Sequence, residues 1–344
     1  MSKTKRFGMP NLFIRYVKNT TMKKLNQGVF LLFILAITFV SCEKTLPGAP
    51  DENELLDRLM EGLTNTERLQ FFRGDEAFGE TFTAETGLGF LDAVTDAFLI
   101  ALSDPNDTNG NGISGHPHYT NIPSYVDVRI NAIPSNGKYI TRFGKKGAAY
   151  NLLHQTSGAY NQDMGITSIF EPIDPATQLE VDPEVSTQTV NDVVAYLKTL
   201  KAPIQRNTND PAAVVAGQQL FTQIECSGCH TPTMETGFSP ISALSYKTFS
   251  PYTDLLLHDM GPGLDDNYTE GHALTSEWKT LALWGLGLSF EAQGGMVFLL
   301  HDGRATTIDQ AITFYGGEAT GSKNKYDQLS ETEKQQLITF LKSL

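Results

Sequence analysis

The pentapeptide Cys226-Ser227-Gly228-Cys229-His230 constrains this chain more than any other feature. Two thiols separated by two residues can each form a thioether with one of the two vinyl groups of a haem. The adjacent histidine then falls over the iron as an axial ligand. With 3 Cys and 7 His in 344 residues, the pattern is expected by chance only roughly 0.0005 times. Two other uses of a cysteine pair compete with this reading. A structural zinc takes four ligands, commonly from two cysteine pairs or a Cys2His2 set, and no second pair exists. A thiol–disulfide site would sit near a βαβ pattern, and the chain shows none. One covalently bound haem c is therefore the expected cofactor, with Cys226 and Cys229 as attachment points and His230 as axial ligand. On the other face of the iron, His258, Met260, His272, Met296, His301 and Tyr315 all lie downstream within reach, and spacing alone does not choose among them.

The third cysteine, Cys42, has its own explanation. Met22, Lys23 and Lys24 open a basic region, the run Val29 to Val40 is apolar, and Ser41 precedes the cysteine. This is the layout of a secretory signal, and the apolar run falls short of the about 20 residues that span a bilayer. Phe39-Val40-Ser41-Cys42 resembles the lipobox of bacterial lipoproteins, which makes Cys42 the lipidated first residue of the mature chain. An uncut anchor helix is the alternative. The expected organisation is an over-called start at 1–21, a signal peptide at 22–41, and a linker at 42–54 rich in Pro and Gly. Either reading places the remainder outside the cytoplasm, and the lipobox reading anchors it by lipid to the bacterial cell envelope, in the periplasm or at the outer membrane.

Beyond the linker, apolar residues recur at helical spacing over Leu55–Phe72, Leu88–Leu102, Gly147–Tyr160, Thr189–Leu200 and Pro211–Ile224. A last helix is expected from about Glu331 to Leu344, with Ser330 and Glu333 forming a capping box. Strand alternation is scarce, so the fold class is mainly α. Lys201–Asn209, with Pro203, marks the expected boundary between a domain at 55–203 and one at 204–344. A composition of 40% hydrophobic and 19% charged residues fits a globular chain with a real core. The net charge of -13 argues against a nucleic-acid partner, because a phosphate backbone needs a basic surface. An acidic surface is either simply solvated or suited to a basic electron-transfer partner.

Asp107-x-Asn109-x-Asn111-Gly112 matches the first half of a calcium loop, with oxygen ligands at alternating positions. His118 stands where that loop would close with a bidentate Glu. A bound Ca2+ and a glycine-rich turn held by Asx hydrogen bonds are both open at this point.

From Val214 on, several stretches carry a family resemblance: Cys226–Pro232, Tyr252-Thr253-Asp254-Leu255-Leu256-Leu257-His258-Asp259-Met260-Gly261 and Glu277-Trp278-Lys279-Thr280. Leu283-Trp284-Gly285, Leu300-His301-Asp302-Gly303-Arg304-Ala305 and Ala311–Ala319 continue it. They resemble the di-haem oxidoreductases related to bacterial cytochrome c peroxidases. Asp104–Gly115, Arg142-Phe143-Gly144 and Asp163–Thr167 extend the likeness upstream. The resemblance implies a cytochrome c-like C-terminal domain and a reduced α-helical N-terminal domain. Members carry two Cys-x-x-Cys-His motifs, whereas here Thr83–Thr86 runs straight into Gly87 and no cysteine lies between 43 and 225. The first haem segment is missing.

By the same resemblance, Tyr315, fourteen residues after His301, becomes the second axial ligand. Pro232, His258, Met260, Trp278, Trp284, His301 and Arg304 become pocket residues. Gln155 and Asp163 correspond to groups beside the missing haem and read as relics. Three functions follow: a one-haem electron carrier, a single-haem peroxidase with His258 or Asp259 as acid–base group, and a docking protein for a redox partner.

Overall fold

Thr64 sets the start of the first helix among the described residues. Its Oγ1 accepts the Glu67 N–H at 3.3 Å, while the Glu67 carboxylate accepts the Thr64 N–H at 2.7 Å. The helix α1 (Asn65–Phe78) begins there, and the described part of the expected stretch ahead of it, 58–64, is not helical, because Gly62 turns the chain at φ +82°. The computed structural model describes residues 58–78, 88–129, 132–206 and 209–344. The leader, Cys42, the linker and the join at Thr83–Gly87 lie outside the described residues.

The expected helix over Leu88–Leu102 is two pieces, α2 (Leu88–Ala93) and α3 (Asp96–Leu102). Val94 pairs with Thr236 in a β-bridge, and Thr95 restarts the helix by accepting the Phe98 N–H. The helix expected from Gly147 begins only at Leu152, because Asn151 caps α4 (Leu152–Gly158). One π-helical turn, Ala159–Asp163, follows it. Ser186 caps α5 (Thr187–Thr199), and Asp210 caps α6 (Pro211–Gln223), whose Pro211 suits a first helical turn. After α7 (Ser289–Ala292), α8 (Ile308–Phe314) and α9 (Thr320–Asp327), the Ser330–Glu333 capping box opens α10 (Glu331–Ser343) as expected.

The strands among the described residues form three two-stranded antiparallel ribbons: β1 (His118–Thr120) with β2 (Tyr139–Thr141), β3 (Met234–Glu235) with β4 (Thr248–Phe249), and β5 (Leu257–Asp259) with β6 (Glu277–Lys279). The fold is mainly α.

Two apolar clusters hold it. The first gathers Phe71 of α1, Leu99 of α3, and Val190, Val193 and Leu197 of α5. It also takes in Met234, Phe249, Leu255 and Leu256 from beyond position 204. Arg142 lies fully buried beside this cluster, donating to the Val94 carbonyl and pairing with Asp96, which Arg129 also holds at 3.1 Å. Burial, aided by the neighbouring Arg129, pulls the Arg142 pKa down to about 9. That ion pair is the physical reason for an arginine in the Arg142-Phe143-Gly144 stretch. The second cluster packs Phe221 and Ile224 against Tyr252, Leu337, Phe340 and Leu341, with α6 lying along α10.

The α6–α10 contact depends on one glycine. A Cβ at Gly217 would collide with the Gln336 carbonyl and crowd the Phe340 Cβ at 2.7 Å. In an unconstrained helix, Gly→Ala is worth about 1 kcal/mol in favour of Ala. Here Gly217→Ala should instead destabilise, because overpacking costs about 1–3 kcal/mol. Urea titration should show a lower midpoint, and a raised midpoint would mean the two helices have room to spare.

Candidate functional site

The α6 helix delivers the cysteine pair. Glu225 follows it in the left-handed region at φ +66°, and Cys226–Gly228 then makes a single 3₁₀ turn. The His230 N–H returns to the Cys226 carbonyl at 3.0 Å, so Cys226, Cys229 and His230 are rolled together by a few local bonds. Both thiols are unpaired. Burial, with Cys229 alongside, pushes the Cys226 pKa up to about 12, and burial also raises that of Cys229. A thiol–disulfide site needs an accessible, easily ionised thiolate, so this environment speaks against one.

His230 Nδ1 lies 3.0 Å from the Tyr252 carbonyl oxygen. A ring that donates from Nδ1 keeps its lone pair on Nε2, the nitrogen that would ligate. Burial lowers the His230 pKa and keeps the ring neutral, as a metal ligand must be. Tyr252, at φ +55°, and Leu255, at φ +60°, are strained non-glycine positions in the chain behind it.

These groups open on a cavity of about 880 Å³, at the upper end of the ligand-pocket range of about 300–1,000 Å³. Cys226, Cys229, His230, His258, Met260, Trp278, Trp284, His301 and Tyr315 all border it. Pro232 and Arg304 do not. Arg304 pairs with Asp302, donates to the Gly263 carbonyl at 2.9 Å and lies over the Phe314 ring. His272 and Met296 also lie off the cavity. His272 meets Lys138 and donates its N–H to His118, and Met296 is 56% exposed.

Among the groups that border the cavity, Tyr315 carries a hydroxyl with no hydrogen-bond partner among the described residues, and burial followed by the two thiols raises its pKa. His301 stacks on Trp278 at 4.5 Å, and its buried Nδ1 has no hydrogen-bond partner among the described residues. Burial and Lys279, Lys145 and Lys146 lower the His301 pKa to about 3. A large, chiefly apolar cavity with two adjacent thiols, a neutral imidazole and an orphaned polar atom fits a covalently held haem. Cys226, Cys229 and His230 are the residues that would hold it.

Sequence reasoning missed the supports of this wall. The β5–β6 register sets His258 opposite Trp278. His258 Nε2 meets Asp254 at 2.8 Å and Nδ1 meets Glu318 at 2.8 Å, so both ring nitrogens are committed. A Cβ on Gly115 would collide with this ring. Lys146 places its buried Nζ 4.1 Å from the Trp278 ring centroid. It donates to the carbonyls of Leu274, Thr275 and Glu277 at 3.0 Å each and pairs with Asp266 at 3.2 Å. Asp254 and Glu318 were within reach of sequence analysis, inside motif blocks already singled out. Lys146 had no signal.

Gln155 on α4 and Asp163 at the end of the π turn lie outside the cavity. In the Asp107 loop, Asn109 Oδ1 accepts the Asn111 N–H, Asp107 accepts the Gly112 N–H, and Asn111 Oδ1 accepts the Ile113 N–H. The side chains named for calcium thus cap their own backbone in Asx turns. No group of three or more His, Cys, Asp or Glu is gathered to hold a metal among the described residues.

Burial works against a charged His258, but the Asp254 carboxylate and the hydrogen bonds the ring makes to Asp254, Cys229 and Glu318 outweigh it, raising the pKa well above 6.5. The folded ring holds its proton more tightly than the unfolded one. Its stabilisation is therefore full below about pH 6.5 and is lost as pH rises through the raised folded value. From about pH 6.5 to 9, wild-type protein should lose more stability than His258→Asn, read as denaturant midpoints. Parallel curves would show that the ring is uncharged.

The sequence profile of the family described as "Di-haem oxidoreductase, putative peroxidase" matches residues 70–344. No curated protein matches. Among solved structures, hydrazine synthase of Kuenenia stuttgartiensis, determined under 20 bar xenon, aligns with 98% of this chain and 100% of its own. Its identity is 14% and its TM-score 0.39, a likeness too loose to bear on fold or chemistry. The profile match runs through both cores and every wall of the cavity, and by it the chain belongs to the di-haem oxidoreductase family.

Proposed function

We propose that this member of a haem-dependent, peroxidase-like oxidoreductase family carries one haem c and relays single electrons. In this reading Cys226 and Cys229 hold the haem edge and His230 ligates through Nε2. Tyr315, on the same cavity, would supply a second ligand to the haem. Bound haem supplies a one-electron ferric–ferrous couple. The chain's part is to fix His230 through the Tyr252 carbonyl, to keep water out with an apolar wall, and to fill both axial positions so that peroxide has no vacant site. A tyrosinate ligand favours ferric iron and lowers the potential, the lever that axial-ligand identity provides. The observation that carries this reading is the Tyr315 hydroxyl, which borders the same cavity as the thiol pair and has no hydrogen-bond partner among the described residues.

The single-haem peroxidase reading needs a free acid–base group over an open position. His258 is committed at both nitrogens, and Asp259 is exposed with its carboxylate accepting the Gly261 N–H, so the geometry favours electron transfer. The partner is then a redox protein, donor or acceptor, in the extracytoplasmic space. The membrane is reached through lipidated Cys42, and nucleic acid has no role. A docking role for the N-terminal half is compatible with this but has no motif of its own.

Two measurements check the reading. Mature protein made with a c-haem maturation system should show one covalent haem, low-spin when ferric and unchanged by hydrogen peroxide, and Tyr315→Phe should convert it to high-spin. A high-spin ferric spectrum that shifts quickly with peroxide would overturn electron transfer in favour of peroxidase chemistry. Separately, Cys42→Ser should move the protein from the membrane fraction to the soluble one. Unchanged fractionation would exclude lipid anchoring at that residue.

A further inference from the structure

Tyr315 ends α8, and the three residues after it are tied down unusually closely. Gly317 sits at φ +51°, where a Cβ would collide with the Asp259 carbonyl. Gly261 sits at φ +75°, where a Cβ would come within 2.7 Å of the Gly317 nitrogen. Two backbones therefore touch at a place where only glycine fits on either side. The next residue, Glu318, has an 11% exposed side chain and spends both carboxylate oxygens on three residues of two segments, β5 and the loop ahead of β1. One oxygen accepts the Asp259 N–H at 2.9 Å. The other accepts the Ser114 N–H at 2.7 Å and meets His258 Nδ1 at 2.8 Å. His258 is in turn held by Asp254, and Gly115, next to Ser114, leaves it the room it needs.

A carboxylate is costly to bury unless charge-assisted bonds meet it from several sides. Here they do, three residues from the tyrosine proposed as axial ligand. We infer that Glu318 is a positioning residue: it latches the Tyr315–Gly316–Gly317 turn onto β5 and onto Ser114, and so sets the reach of the Tyr315 hydroxyl toward the haem iron. This rests on the proposed ligation by Tyr315 and adds to it what fixes the ligand. It also gives the N-terminal half a task. Ser114 and Gly115 belong to the segment without a haem motif, yet they brace the ligand turn of the segment that has one.

The test uses the full, haem-loaded protein and reads the ferric spin state by absorption and electron paramagnetic resonance. Tyr315→Phe serves as the unligated reference, and far-UV circular dichroism checks the fold of each variant. Glu318→Ala should lower the ratio of tyrosine-ligated to unligated haem roughly tenfold, the scale expected from losing charge-assisted bonds. Glu318→Gln keeps the shape and half the acceptors, so it should fall between Ala and wild type and stays informative if the Ala variant does not fold. Gly115→Ala, whose Cβ would crowd the His258 ring, should shift the ratio the same way. A spectrum that depends on Tyr315 but is untouched by both Glu318 variants overturns the latch alone. A spectrum that Tyr315→Phe leaves unchanged overturns the ligation itself, and the latch with it.

Discussion

His258 is buried between Asp254 and Glu318 with both ring nitrogens committed, and the surrounding site leans on that contact. An imidazole and two carboxylates taken out of water are tolerated only when each finds its partners. Removing one member leaves an uncompensated buried charge, at a cost of about 3–5 kcal/mol. The triad joins β5, the turn after Tyr315 and the loop ahead of β1, so three stretches far apart in sequence are placed by one set of charges. The same strand that carries His258 carries its register partner Trp278 to the cavity wall through β6.

What could be read from the sequence was local. The Cys226–His230 spacing, the Ser330–Glu333 capping box and the helical periodicity of α5 and α6 are short-range patterns, and the structure forms each helix and cap as read. The errors came where longer-range pairing intervened or where a local cap won over the apolar spacing. The break between α2 and α3 exists because Val94 leaves the helix to bridge Thr236, which no window over Leu88–Leu102 contains. The late start of α1 and of α4 followed caps at Thr64 and Asn151 that compete with the apolar spacing. Lys146 bonds carbonyls more than 100 residues away, and Glu318 joins Ser114 to His258, both beyond any periodicity.

The Asp107 loop shows how a pattern of oxygens can serve the chain's own backbone. The same Asp and Asn oxygens that would face an ion also reach the backbone N–H groups two to five residues on, and here they do so. Arg304 makes a similar point. An arginine in such a motif block invites an anionic partner, but its side chain lies off the cavity and is already occupied by Asp302 and the Gly263 carbonyl.

Lys146 has a further meaning. Three carbonyl oxygens and one carboxylate surround its Nζ at 3.0–3.2 Å, an oxygen shell of the kind that proteins elsewhere offer to a free cation. Here the cation is tethered to the chain and cannot diffuse away. The seam it closes, between the loop after β2 and the approach to β6, therefore keeps its strength whatever the metal content of the medium. A chelator has nothing there to remove.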